Sequence, residues 1–267
     1  MKILTKGTYY GEMRAEQQIS DILFSEYDYL EDQTDWHYHE NPYFMYVLEG
    51  NLYDVNKKCK TTCPSGSFLL HNWQEAHFNS KESIHASGFH IELERSWFEK
   101  NNIDITLWEG SKLIKNPKLH HILAKLYAEF NFADIHSQLS CELLVCELCD
   151  NIEKEKIYSL EKHPSWLASL IEIIHHSNEP FDLTSLSQQL GIHAGHLSRA
   201  IPQYFDTTLG DYIRQVKVKK ALEFMISTNK SLFDISYECG FSDQSHFSRT
   251  FKRYMGMTPR AFCTKCR

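Results

Sequence analysis

Residues 232–253 read Leu-Phe-Asp-Ile-Ser-Tyr-Glu-Cys-Gly-Phe-Ser-Asp-Gln-Ser-His-Phe-Ser-Arg-Thr-Phe-Lys-Arg. Leu232, Ile235 and Cys239 recur at helical spacing, and Gly240 then supplies a tight turn, since glycine adopts positive φ without a side-chain penalty. Ser231 and Asp234 have the spacing of a capping box at the start of that helix. Beyond the turn, Phe247, Phe251 and Tyr254 form a second apolar stripe. The opposite side carries Ser245, Arg249 and Lys252, flanked by Gln244 and Ser248. Two short helices crossing at a tight turn form a helix-turn-helix, whose second helix projects outward.

The pattern occurs twice. His196-Leu-Ser-Arg-Ala-Ile-Pro-Gln-Tyr-Phe205 aligns with His246-Phe-Ser-Arg-Thr-Phe-Lys-Arg-Tyr-Met255, and Thr208 and Tyr212 align with Thr258 and Phe262. A fixed offset implies one structural unit used twice. In the earlier copy Leu183, Leu186 and Leu190 mark the first helix and Gly191 the turn. Leu197, Ile201 and Tyr204 are the expected buried stripe; Gly195 and Arg199, flanked by His196 and Ser198, face outward. Arginine can fork onto a guanine edge and glutamine onto adenine in the major groove, while small hydroxyl residues let backbone approach phosphate. An exposed Arg on a single helix is ordinarily just solvated; the same Arg behind the same Gly turn in both copies favours a DNA-reading face.

Between the copies, Asp211–Ser227 reads as one helix bearing Arg214, Lys217, Lys219 and Lys220, either facing phosphates or merely solvated. A rigid helix there would set the distance between the outward helices; successive major grooves on one DNA face are ~34 Å apart. Charge is divided to match. Residues 1–158 carry 15 Lys/Arg against 25 Asp/Glu, whereas residues 159–267 carry 13 against 10. The overall net charge of −7 therefore hides a basic C-terminal part, the part suited to a polyanion.

The first hundred residues read differently. Tyr43–Leu48, Leu52–Val55, Ser67–Leu70 and a stretch near His85–Ile91 are short strands separated by turns such as Glu49-Gly50-Asn51 and Pro64-Ser65-Gly66. Aromatic and β-branched runs at that spacing favour an antiparallel barrel or sandwich. From Asn116 the period becomes helical through Leu119, Ile122, Leu123, Leu126, Tyr127 and Phe130. A second helix over Ile135–Ile152 aligns Leu139, Leu143, Cys146 and Asp150 on one side. That pair either packs on the β-domain or forms a self-complementary dimer surface. Glu153–Lys156 and Glu161–Pro164 read as a linker, with Pro164 placed to start the next helix.

Three close cysteine pairs, Cys59/Cys63, Cys146/Cys149 and Cys263/Cys266, lack the matched second pair of a zinc site and read as thiols. No apolar run reaches membrane-spanning length, and Met1–Met13 has no secretion-signal core, so a cytoplasmic protein with no membrane partner is expected.

The run Leu232-x-Asp-Ile-Ser-x-x-x-Gly-Phe241, Ser-Asp-Gln-Ser-x-Phe-Ser-Arg-x-Phe-Lys-Arg253 and Gly256-x-Thr-Pro259 resembles the C-terminal signature of the AraC/XylS bacterial transcription regulators. Trp166–Phe262 as a whole is similar to that family's two-unit DNA-binding domain. The resemblance implies double-stranded DNA as partner, a small-molecule effector, RNA polymerase contact and a homodimer. It matches Gly195, His196, Ser198 and Arg199 to recognition positions of the first unit, and Gln244, Ser245, Ser248 and Arg249 to those of the second. Ser236 stands where the family usually has Ala. Pro202 falls inside the first outward helix, where it costs ~3 kcal/mol if the helix runs straight. The second unit is therefore expected to read sequence while the first positions the protein.

His37-Tyr-His39, Leu48-Glu-Gly50 and Pro64-Ser-Gly66 leading to His77 resemble, more loosely, the family's cupin-like effector domain. Two His at i and i+2 of a strand share a face. In metal-binding cupins such His join a Glu and a later His; here the Tyr43/Phe44 region replaces that Glu, so no metal or other cofactor is expected. Trp36, His37, His39, Tyr46 and His77 are the candidate effector contacts, with Tyr38, Trp73 and Phe78 as further stacking surface. The implied fold is α+β in two domains: a cupin-like antiparallel β-barrel over 1–110 with a helical dimerisation region over 111–158, and an all-α double helix-turn-helix over 159–267. The expected function is effector-responsive regulation without catalysis. The alternative is a metal-dependent cupin enzyme fused to a DNA-binding tail.

Overall fold

The computed structural model describes residues 1–72, 75–104, 110–154, 164–176, 182–205 and 207–266. Contacts divide the chain into two compact units: residues 1–115 with 129–144, and residues 116–128 with 145–267.

The first unit contains two sheets. One orders β1 (Lys2–Leu4), β4 (His37–His39), β9 (His77–Lys81), β6 (Asn51–Asn56) and β7 (Lys60–Pro64). The other orders β11 (Lys112–Ile114), β8 (Phe68–His71), β5 (Tyr43–Glu49), β10 (Ser87–Leu93), β3 (Ile22–Asp28) and β2 (Glu12–Ile19). The expected closed antiparallel barrel is not formed. No ladder among the described residues joins the two sheets, and β1 pairs with β4 in parallel. The edge strands, β1 and β7 of one sheet and β11 and β2 of the other, carry no ladder to one another among the described residues, and within the first sheet β4 meets β9 through the single pair His37–His77.

β5 and β10 are buried on both faces, and their register sorts side chains by period two. Tyr43, Met45 and Val47 share a core with Leu52, Cys63, Leu69 and Ala86. The register sets Glu92 beside Tyr43 and His90 beside Met45, whereas Tyr46 pairs with Phe89 and Phe68. On the Phe89 side, Phe24, Phe89 and Phe130 bring their rings within 6.5 Å of one another. Helix α1 (Arg95–Lys100) follows β10 and buries Trp97 and Phe98.

Helices α2 (Pro117–Asn131) and α3 (Ser137–Lys154) match the expected helical pair. In α3 the buried side is Cys141, Val145, Leu148 and Cys149, while Leu139 and Leu143 are each 61% exposed. The eight cysteines stand as thiols. Beyond Lys154 the anticipated linker lies outside the described residues, as does Trp73. Pro164 directly precedes α4 (Ser165–His176), and its carbonyl accepts from the Leu167 N–H.

The remainder of the second unit is α5 (Leu183–Leu190), α6 (Ala194–Phe205), α7 (Leu209–Ser227), α8 (Leu232–Glu238), α9 (Gln244–Met255) and α10 (Pro259–Cys266). They surround two cores. Leu167, Leu170, Ile174, Leu186, Leu197, Ile201 and Phe205 pack with Tyr212, Ile213 and Val216 from the first half of α7. Val218, Ala221, Leu222 and Met225 from its second half pack with Ile235, Phe247, Phe251 and Phe262. Ala124 and Ala128 of α2 join that second core. One helix is thus structural to both repeats, so its apolar residues run nearly all round it.

Candidate nucleic-acid interface and binding pocket

Each repeat closes its first helix with a left-handed glycine. Gly191 has φ 65° and returns its N–H to Gln188, and Gly240 has φ 71°. Asp182 caps α5 through the Ser185 N–H at 2.6 Å, and Ser185 answers the Asp182 N–H, completing a capping box. Ser231 caps α8 by accepting from the Asp234 N–H at 3.1 Å. The Asp234 carboxylate accepts the Ser231 hydroxyl at 2.5 Å.

The outward helices also begin with caps. Asp243 accepts from the His246 N–H at 2.7 Å at the head of α9. That bond, the first of several, holds the Asp243 carboxyl below its usual range. At the head of α6 the His193 Nδ1 accepts the Gly195 N–H at 3.1 Å, so this candidate's backbone donor already has an internal partner.

Burial divides both helices as the spacing predicts. In α9, Phe247 and Phe251 are fully buried and Tyr254 half-buried; Gln244, Ser245, Arg249 and Lys252 are exposed, and Ser248 is half-buried. In α6, Leu197 and Ile201 are buried; His196, Ser198 and Arg199 are exposed, and Gly195 is half-buried. Helix α6 continues through Pro202 to Phe205 with Pro202 on its exposed side. The proline withholds the donor that the Ser198 carbonyl would otherwise receive.

The basic residues of α7 are engaged within the unit. Lys217 is half-buried and donates to the Gly240 carbonyl, Lys219 pairs with Glu223, and Arg214 pairs with Asp211 at 3.0 Å. Asp211 is a junction that sequence reasoning missed. It also accepts from Tyr254 Oη at 2.8 Å, Thr207 at 3.1 Å and Gln215 at 3.3 Å. Burial raises its pKa, but the bonds from Tyr254, Arg214, Gln215 and Thr207 outweigh that and hold it at about 2.

In the first unit, a pocket is lined by His37, His39, Tyr9, Tyr29, Tyr43 and Lys81, among others. Two of its tyrosines are held: Tyr29 Oη lies 2.9 Å from His90 Nε2, and Tyr9 Oη donates at 3.1 Å to Glu92, a residue outside the lining that also accepts from the Gly7 N–H and Asn41, each at 2.9 Å. His77 lies beside the pocket, its ring 4.4 Å from that of His37. Two of the expected effector contacts are elsewhere. Trp36 is 42% exposed and packs edge-on against Phe78, and Tyr46 is buried on the opposite face of β5, in register with Phe89. The strand period places Tyr46 correctly only once the Tyr43 face is known to be the inner one.

The nitrogens of His37, His39 and His77 come within 4.8 Å of one another, and Asp54, His71 and His77 form a second such group. Asp54, His71, His90 and Glu92 were not anticipated. The alternation of buried Leu52, Asp54 and Asn56 along β6 was the available signal for the first. Burial pushes His71, His77 and His90 down to about 3 and raises the Asp54 carboxyl, so the imidazoles are neutral and keep a lone pair at neutral pH.

A family model described as a helix-turn-helix domain matches residues 186–265, from within α5 to the end of α10. It therefore takes in both repeats with their outward helices. Residues 186–265 form a helix-turn-helix domain of this family. The HTH-type transcriptional regulator ArgR of Pseudomonas aeruginosa is 24% identical over 143 residues, covering 52% of this chain and 44% of that protein. The uncharacterized HTH-type transcriptional regulator YisR of Bacillus subtilis is 23% identical over 238 residues, covering 80% and 83%. The chain thus spans less than half the length of the first relative and most of the second. A solved AraC-type regulator from Chromobacterium violaceum is 26% identical and matches 38% of this chain and 90% of its own, at a TM-score of 0.37. The relatives are named as regulators, and no described helix is long and apolar enough to cross a membrane.

Proposed function

We propose that this protein is a cytoplasmic, sequence-specific transcription regulator that binds double-stranded DNA through α6 and α9 and responds to a small-molecule effector. The observation that carries this reading is the repeated division of those helices. Each buries one face in its own core and leaves an arginine at the equivalent position, Arg199 or Arg249, exposed beside small polar residues. A fold needing only packing has no use for that duplication, whereas two adjacent grooves of DNA do.

Residues 159–267 act as the DNA-binding part, 1–110 as an open cupin-like effector domain, and 111–158 as the region joining two copies. The second repeat reads bases with Gln244, Ser245, Ser248, Arg249 and Lys252. The first, with Gly195, His196, Ser198 and Arg199, mainly fixes register, because Gly195 brings no side chain and its N–H is already used by His193. His37 and His39 contribute to effector contact together with the tyrosines around them. The effector must bind two arrangements of the protein unequally, and RNA polymerase recruitment follows from which sites are then engaged.

The test is titration of genomic fragments selected by the protein itself. Affinity falls steeply with salt, as phosphate contacts require. At fixed salt, Arg249→Ala weakens specific binding by ~1–3 kcal/mol and Arg199→Ala by less. Salt-insensitive binding sinks the DNA reading, and a larger loss from Arg199→Ala sinks the division of labour.

A further inference from the structure

Asp54 presents a problem of charge. Its side chain is 3% exposed, and among the described residues no lysine or arginine pairs with it. Its described hydrogen bond is from the Asn79 amide to Oδ1, at 3.3 Å. A buried carboxylate with so little support is costly unless a cation compensates it. Facing it is a second incomplete group. His71 is fully buried, and its Nε2 lies 4.0 Å from Asp54 Oδ1 with no hydrogen-bond partner among the described residues.

The surrounding imidazoles are oriented as ligands are. His77 donates from Nδ1 to the Glu75 carbonyl at 3.0 Å, and His37 from Nδ1 to the Asp35 carbonyl at 2.8 Å, which leaves each Nε2 with the lone pair. Ser111 Oγ lies 3.1 Å from His71 Nδ1 and orients that ring, and as an acceptor there it leaves the lone pair on Nε2. Metal-bound histidines hold their second nitrogen in this way. Donors bound at ~2.0–2.2 Å to one ion lie ~3–3.5 Å apart, so a group already within 4.8 Å needs to contract by at most about 1.3–1.8 Å.

We propose that the first unit binds one divalent first-row transition ion through Asp54, His71 and His77, with His37 as the neighbouring fourth donor. The carboxylate that Tyr43 fails to supply at its own position comes instead from β6. Two imidazoles and a carboxylate, with no thiolate among them, suit Zn(II) or Fe(II) over soft ions. The Tyr43 hydroxyl, 3.3 Å from His77 Nε2, gives up that hydrogen bond when the nitrogen takes the ion. The site requires no property of the DNA-binding helices, so its failure leaves the regulator reading standing, and the converse holds.

The experiment uses the full chain stripped with a chelator and titrated with Co(II), followed by visible absorption and by competition with Zn(II). One equivalent binds with a ligand-field spectrum, the melting temperature rises, and Asp54→Asn and His71→Gln each weaken binding at least tenfold. Because either variant could unfold, the wild-type chain is decisive without them: if it melts as a native protein yet gives no cobalt spectrum, the proposal fails. Retention of tight binding by both folded variants also overturns it. So does loss of binding in His39→Gln while Asp54→Asn keeps it, which would move the ion to His37, His39 and His77.

Discussion

Asp211 gathers Tyr254, Arg214, Gln215 and Thr207 around one carboxylate, and two of these partners come from α7 itself while Tyr254 comes from α9. The side chain is 20% exposed. Its carboxyl titrates at about 2 in the folded chain, below its ordinary 3.8. A depressed carboxyl stabilises the fold above its unfolded pKa, and that contribution disappears as pH falls through the folded value. Asp211→Asn is therefore expected to cost about 1–2 kcal/mol at pH 6, allowing for partial solvent screening. The gap from wild type should narrow between pH 4 and pH 2. Urea unfolding at several pH values checks this, and a gap that stays constant across that window refutes it. The junction illustrates what single residues conceal. Nothing near Asp211 in sequence distinguishes it from an ordinary first-turn acid, because Tyr254 lies 43 residues away. His71 was hidden for another reason: it ends the apolar run Phe68-Leu69-Leu70, where a histidine reads as a boundary and not as a buried group. Arg199 and Arg249 were legible, since periodicity alone assigns a helical face.

Among the elements, α6 is the one that breaks a local rule. Pro202 sits in its interior, and the helix nonetheless continues for three more residues because Ile201 and Phe205 anchor its last turn in the first core. Packing thus overrides a backbone preference. The expected cost of the proline is ~3 kcal/mol, offset by ~0.4–1 kcal/mol through restriction of the unfolded chain. Pro202→Ala should then stabilise the protein by about 2 kcal/mol, since the exposed ring gives up no buried contact. Chemical denaturation with an unchanged m-value is the measurement. A neutral or destabilising result would mean the proline is favoured in its place. Periodicity revealed both copies of the repeat, but it could not foresee the role of α7, which divides its apolar residues between two cores. Its lysines read in the sequence as phosphate contacts or as merely solvated; Lys217 instead donates to the Gly240 carbonyl. The barrel failed as an expectation on similar grounds, because strand composition signals pairing without fixing whether the edge strands of two sheets meet.

At the scale of the whole molecule, an apolar stripe remains uncovered on the first unit. Ile135 is 91% exposed, Leu139 and Leu143 are 61% exposed, and they follow one another at four-residue spacing along and just before α3. Helical spacing selects Leu139 and Leu143 as one side, with dimer formation and packing on the β-domain both open. Their exposure argues for a second copy, whose own stripe is by symmetry the complementary surface. Burying a leucine side chain contributes ~1.5–3 kcal/mol. In a two-fold interface each substitution counts twice, so Leu139→Asp with Leu143→Asp should raise the dimer dissociation constant more than a hundredfold. The folded monomer should be hardly affected, because both side chains already face solvent and aspartate there meets water. Sedimentation equilibrium across a concentration series reads the first effect and thermal melting of the dilute protein the second. If wild type and variant sediment alike, α3 is not the surface that joins two copies. If the dilute variant melts well below wild type, the leucines belong to the fold of one chain and the stripe is part of its core.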